Sequence, residues 1–370
     1  MDYLRYYIAA ALQAVGFAGF FLGGQWVWLG IATFPLLATI DALLPNDMAP
    51  RRMRGGFAAY LPVWIAAFGG LGLYAAAALW IAREPAAGPL QIAGAILSLG
   101  WLSVVPMVPV THELYHQRNK FSRFLGRFSQ IVYLDSTRDV AHVVGHHIDV
   151  ATVRDGDTAR RGVNLYAFTA KAILVSTRES LRMEADLLEK QGKSRWSISH
   201  RLYRALLALI VVQGVIYAIG GWPAVGITLA AMLLGRAWAE SFNYFQHYGL
   251  MRAVGSPISR RHVWNHLKPI SRALSFEITN HADHHTDTFA PYYALVPDRQ
   301  WVPMPSVFVC FVSALIPPLW EAAIAKPALR RWDNELASAE ERDMARAANK
   351  AAGWPDWFGD DRKEERMAAA

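Results

Sequence analysis

Residues 205–235 read ALLALIVVQGVIYAIGGWPAVGITLAAMLLG, a run with no Asp, Glu, Lys or Arg. A helix crossing a hydrocarbon core about 30 Å thick needs roughly 20 residues, and Gly220-Gly221-Trp222-Pro223 interrupts the run near its middle. Glycine and proline punctuate chains at turns. The stretch therefore reads as a membrane hairpin, whose arms take residues from either side to give helices at about 200–219 and 223–245.

Three more runs lack charge: Ile8 to Ile40, Gly55 to Ala82 and Pro85 to Thr111. The first divides at Gly23-Gly24-Gln25 into helices at about 6–22 and 26–44, and the others give helices at about 57–82 and 89–110. The expected architecture is all-α: an integral membrane six-helix bundle forming one domain over 1–370. A helical, histidine-rich cap is expected from about 111–199 and 246–370. With 54% hydrophobic and 18% charged residues, the composition points the same way. Arg51, Arg52 and Arg54, together with the basic segment 112–200, mark the cytoplasmic side. Both termini and every histidine-rich segment are then cytoplasmic, in a bacterial-type inner (plasma) membrane. The net charge of +7 belongs to that topology and to anionic headgroups of the lipid bilayer, so no nucleic-acid partner is expected. Cys310 is the single cysteine, which excludes a disulfide framework and a cysteine-ligated metal. The N-terminus reads as an uncleaved first helix.

Of 12 histidines, nine fall into four short clusters. THELYHQ (111–117) carries His112 and His116; AHVVGHH (141–147) carries His142, His146 and His147. NYFQHYG (243–249) carries His247, and NHADHH (280–285) carries His281, His284 and His285. Spacings of three and four put side chains on one helix face, as metal ligands stand in helical bundles. One pair alone is as often a surface feature, but four clusters on one side of a membrane bundle point to a shared metal centre. HELYH is set apart from the HExxH of zinc peptidases. His262 and His266 lie outside the clusters, with His266 placed to support a ligand or the packing, and His200 reads as a solvated membrane-edge residue.

Imidazole suits zinc, copper, iron and nickel, but zinc sites close with three or four protein ligands. Nine donors are too many for one ion, whereas two ions with four or five nitrogens each would use them all. A site at the end of apolar spans meets apolar substrates, which offer little to a hydrolase. Redox attack on a C–H bond is the natural chemistry, and it favours a pair of irons.

Together the four boxes resemble those of the membrane di-iron hydroxylases and desaturases, and NYFQHYG is similar to the alkane hydroxylase branch. MDYLRYY (1–7), GGQWVWLG (23–30), EITNHADHH (277–285), MPSVFVCF (304–311), ALIPPLW (314–320) and AANKAAGWP (347–355) look like the matching stretches of the xylene monooxygenase branch. The resemblance implies a non-haem centre of two iron ions that uses O2 to hydroxylate the methyl group of hydrophobic small molecules. By position in the boxes it gives the ligand roles to His112, His116, His142, His146, His147, His247, His281, His284 and His285. Electrons are implied to come from a ferredoxin-type NADH reductase, with rubredoxin and its reductase as the alternative. Alkyl-aromatics such as toluene, xylene and p-cymene are the implied substrates. Alkane 1-monooxygenation and membrane lipid or fatty acyl desaturation are the competing activities, and a non-catalytic metal-binding protein is the competing class.

Alkane hydroxylases commonly carry Glu where this chain has Ala141 and Gln246. Groups that orient metal-bound imidazoles are therefore sought among Glu113, Asp139, Asp149, Glu240, Asn243, Asn265, His266 and Asp283, all within sequence reach of the boxes. Arg154, Arg160 and Arg161 are expected to face an acidic electron donor or lipid phosphates, or equally to be simply solvated. Trp26 and Trp28 are expected to shorten a substrate channel. Ser338 and Glu341 spell a capping box that opens a charged surface helix ending before Gly353.

Overall fold

The computed structural model describes residues 2–298 and 302–358, so the expected cap lies within the described residues except at 299–301 and 359–370. Among the described residues there is no strand, only an isolated bridge between Asn265 and Pro303. The helices used below are α1 (Ile8–Leu22), α2 (Leu29–Leu43), α3 (Phe57–Arg83), α4 (Pro89–Val104), α5 (Met107–His116) and α6 (Lys120–Ser129). They continue with α7 (Leu165–Lys190), α8 (Arg201–His247), α9 (His281–Thr286), α10 (Val307–Ala314), α11 (Lys326–Glu335) and α12 (Ala339–Ala351).

Among the described residues, five helices are long and apolar enough to cross a membrane: Asp2–Leu22, Gly24–Leu43, Phe57–Arg83, Pro89–His116 and Arg201–His247. The last, α8, has 47 residues but is not straight, because Gly221 sits at φ 64, outside helical geometry. Gln213 meets Thr228 (3.2 Å) and Met232 (3.5 Å) across that break, so the two arms lie side by side. A positive φ suits glycine, and here it reverses the chain. α8 packs on α3 and α4, α1 on α3, and α2 on α4.

The two ends of the bundle differ in kind. At one end Gly23 (φ 70) turns the chain against Glu84, whose carboxylate accepts from the Gly24 N–H (3.0 Å) and the Trp80 indole (3.0 Å). A Cβ on Gly23 would land 1.7 Å from Glu84 Oε1. Trp26 is exposed here and Trp28 packs on Gly94, so neither reaches the histidines, contrary to the channel expected from the sequence.

At the opposite end, buried polar groups tie the helix ends to the later segments. Glu277 accepts from the Tyr6 hydroxyl (2.6 Å), Arg51 (2.5 Å) and Arg272 (2.5 Å). Asp41, at the end of α2, accepts from the Ser271 and Ser306 hydroxyls (2.5 and 2.6 Å). Arg161 is buried in a two-pronged pair with Asp333 (2.6 and 2.7 Å) and also donates to Asn349, joining the segment after the second box to α11 and α12. It is a structural tie and not a docking residue, and losing one partner of such a buried pair typically costs about 3–5 kcal/mol.

Two further expectations resolve differently. His200 is buried, and its Nδ1 accepts from the Leu202 N–H (3.2 Å) at the start of α8, so it caps a helix instead of facing solvent. The Ser338 box is formed: Glu341 N–H donates to Ser338 Oγ and Ser338 N–H to Glu341 Oε2, and α12 ends before Gly353. Burial pushes the Glu341 carboxyl up, but hydrogen bonds from His262 and Arg261 outweigh it and hold the group at about 2.

Candidate metal centre

Four elements deliver the nine clustered histidines to one place. α5 ends on His112 and His116, α8 ends on His247, and α9 begins with His281 and carries His284 and His285. The second box, Ala141–His146, is a π-helical turn. Residues five apart are offset by about 140° on an α-helix but only about 50° on a π turn. That wider turn brings His147 round beside His142, and the two fall in one group while His146 falls in the other.

The histidines form two groups. His112, His116, His142, His147 and His284 make one; His146, His247, His281 and His285 make the other, and within each the donor atoms lie within 4.8 Å of one another. In the first, His142 Nε2 stands 2.9 Å from His112 Nε2 and 3.1 Å from His147 Nε2. In the second, His281 Nε2 stands 3.0 Å from His247 Nε2 and 3.1 Å from His285 Nε2. A neutral ring nitrogen has either one proton or one lone pair, so hydrogen bonding cannot satisfy both neighbours. A shared cation does. Donors about 2.1 Å from one ion stand about 3.0 Å apart at a right angle and about 3.4 Å apart in a tetrahedron, so these spacings fit a centre with more than four ligands. Nε2 of His146 and of His284 are buried without a hydrogen-bond partner, as lone pairs directed at a metal would be, and so are the two ring nitrogens of His116, one of which carries its lone pair.

Electrostatics prepares the same role. Burial, reinforced by neighbouring histidines, holds His142, His147, His281, His284 and His285 well below the ordinary histidine range, so they are neutral and offer lone pairs at pH 7. His146 differs. Burial lowers its pKa too, but Asp155, with carboxylate oxygens 2.9 and 3.1 Å from Nδ1, overturns that and raises it. His281 Nδ1 faces the Ile278 carbonyl (3.2 Å), and His147 Nδ1 faces the Thr288 hydroxyl (3.1 Å).

Asp155 was absent from the groups expected to orient ligands, and most of the expected ones serve elsewhere. Asp139 pairs with Arg127 (2.8 Å) and Arg201 (2.9 Å), and Asp283 pairs with Arg260. Glu240 takes Arg138, Arg236 and Asn243, and no imidazole hydrogen bond is recorded for Asp149. Asn265 lies beside the fourth box, where its Oδ1 accepts from the Ala282 N–H (2.8 Å) in the first turn of α9. His266 Nδ1 meets the Pro305 carbonyl (2.8 Å), and its ring packs on Phe245. HELYH does spell His-Glu-x-x-His, so its letters do not separate it from the zinc-peptidase helix. The geometry does: Glu113 turns away to the Tyr60 hydroxyl (2.9 Å) and Gln117 (2.7 Å), where it serves no metal-bound water.

Two small cavities lie between the spans and the histidines. The inner cavity, about 40 Å³, touches His112 and His142 of one group and His281 of the other, with Pro109, Tyr115 and Phe242. The outer cavity, about 30 Å³, lies among Phe34, Trp101, Trp238, Phe242, Phe308 and Phe311 of α2, α4, α8 and α10. Phe242 lines both.

With the site in view, the comparisons with known proteins are informative. A family model described as fatty acid desaturase matches residues 87–303, which hold all nine clustered histidines. The chain belongs to this family. Within it the similarity runs to the monooxygenases. The chain is 44% identical over 365 residues to the xylene/toluene monooxygenase hydroxylase component XylM of Pseudomonas putida, covering 96% of this chain and 97% of that one. It is 28% identical to an alkane 1-monooxygenase of Pseudomonas putida, over 70% of this chain and 65% of that one. With alkane 1-monooxygenase 1 of Alcanivorax borkumensis the identity is 26%, over 84% and 80%.

Proposed function

We propose that this chain is the hydroxylase component of a membrane di-iron monooxygenase that hydroxylates the methyl group of alkyl-aromatic hydrocarbons such as toluene, xylene and p-cymene. One observation carries the reading: two groups of five and four buried histidines lie beside two small cavities among the spans, which we read as an aromatic passage, in a chain that matches XylM over 96% of its length. His112, His116, His142, His147 and His284 hold one iron, and His146, His247, His281 and His285 the other. Six spans, counting the two arms of α8 separately, carry this single domain in the inner membrane, with both termini and the centre cytoplasmic.

Two irons bound there supply the redox chemistry that O2 activation requires. The protein contributes position and dryness. Phe34, Trp101 and Phe308 offer ring faces and edges to a flat aromatic substrate, as they do to one another at 5.0 to 6.1 Å. That lining favours alkyl-aromatics over n-alkanes. A dry cavity of about 150 Å³ takes a benzene-sized ligand, so Phe242 and its neighbours must rotate to admit one. The methyl group then enters beside His112, His142 and His281 while the ring stays among the aromatic side chains. One oxygen atom enters the C–H bond and the other leaves as water. The two electrons come from a ferredoxin-type NADH reductase, with rubredoxin and its reductase as the alternative donor.

The test offers membranes p-xylene, p-cymene, n-octane and a long-chain fatty acyl lipid in competition, with the reductase supplied. Benzylic alcohols are expected as the main products, with slower 1-octanol, no new double bonds and no turnover on NADH alone. Dominant 1-octanol would move the chain to alkane chemistry, and an unsaturated lipid would replace hydroxylation by desaturation.

A further inference from the structure

Away from the histidines, α6 and the start of α8 enclose a concave pocket of about 450 Å³. Its wall carries Lys120, Arg123, Arg127, Arg201 and Arg204, and among the described residues no carboxylate lines it. Arg127 and Arg201 are anchored on Asp139, whereas among the described residues Lys120, Arg123 and Arg204 have no side-chain partner. Apart from Ser136 the rest of the wall is apolar, with Phe124 and Phe128 stacked at 6.1 Å beside Ile131 and Ala208.

Below the pocket the surface stays apolar in a straight line. Arg204, Leu207, Val211 and Val215 succeed one another at spacings of three and four, which puts them on one face of α8. Leu207, Val211 and Val215 are 57%, 57% and 56% exposed. Cations at the mouth of a span with an exposed aliphatic stripe running from them match a lipid with an anionic head and hydrocarbon tails. An acidic protein would meet the cations but would leave the stripe unused.

We propose that this pocket binds the headgroup of an anionic phospholipid, with its acyl chains along the exposed face of α8. The inference rests on the membrane placement given above, but not on the identity of the metal or the substrate.

The test is native mass spectrometry of the purified full chain with phosphatidylglycerol, phosphatidylcholine or inorganic phosphate added, comparing wild type with K120A/R123A/R204A. Wild type is expected to retain phosphatidylglycerol over phosphatidylcholine, and the triple variant to bind it roughly 100-fold more weakly, at about 1 kcal/mol per cation. The charge-keeping K120R/R123K/R204K should restore retention. Should the alanine triple variant fail to fold, Arg123→Ala alone is read against the same lipids. Equal retention of both lipids, retention unchanged in the alanine variants, displacement by equimolar phosphate, or displacement by an acidic reductase would each overturn the proposal. Lipid retention is read without turnover, so an inactive chain that still selects phosphatidylglycerol counts against the proposed reaction alone.

Discussion

Alanine at His142 is expected to abolish hydroxylation, a fall of more than about 10³-fold, and to leave the chain short of metal. Its Nε2 is the atom that both His112 Nε2 and His147 Nε2 approach, at 2.9 and 3.1 Å, so its loss opens the five-membered group at its middle. His200→Ala is the matched control. That histidine is buried and caps α8, so its loss costs about 1 kcal/mol of helix stability and should leave metal content and specific activity near wild type. Thermal melting and metal analysis on both variants separate the two effects. Equal loss of metal in both variants would show that the boxes hold nothing the rest of the fold does not.

Asp155→Asn is expected to weaken metal retention by about 10- to 100-fold, the usual effect of removing a carboxylate behind a metal-bound imidazole. The carboxylate approaches His146 Nδ1 with both oxygens, and it is itself held by the Thr158 hydroxyl (2.6 Å) and the Asp157 N–H (3.0 Å). Its charge therefore settles the tautomer of His146, turning the lone pair of Nε2 towards the other three histidines of that group. Asparagine keeps the shape but loses the charge. Titration with a chelator should strip metal from the variant at lower chelator concentration than from wild type. An identical titration would reduce Asp155 to a loop-forming residue.

Much of this was legible in the sequence because it depends on local pattern. Charge-free runs marked the membrane-crossing helices, and Gly23 and Gly221 marked the turns, since each needs a positive φ. The four boxes named all nine histidines that the structure gathers, because their spacing is a property of single helical turns. The division of labour among them was not legible. Spacing of four pairs His142 with His146, yet the two fall in different groups and the π turn brings His147 to His142 instead, and nothing in AHVVGHH announces a wider turn.

Long-range pairings were also hidden. Arg161 finds Asp333 across 172 positions and Arg138 finds Glu240 across 102, so charges that look free to dock or to support a ligand are already occupied. Asp155 lies only nine residues from His146, but the sequence reading weighed that loop for its arginines, and its acidic RDGDT run was the available signal. The aromatic passage escaped for another reason. Phe34, Trp101, Phe242 and Phe308 come from four separate helices, and only their packing places Phe242 in both cavities.

The central claim is that these two groups of histidines hold two irons, and metal analysis tests it most directly. Protein reconstituted anaerobically with iron and zinc offered together, then washed and measured by plasma mass spectrometry, should carry about two irons per chain and little zinc, because donor spacings of 2.9 to 3.1 Å are closer than a four-coordinate tetrahedron gives. Stoichiometric zinc, or no more than one iron per chain, would contradict it.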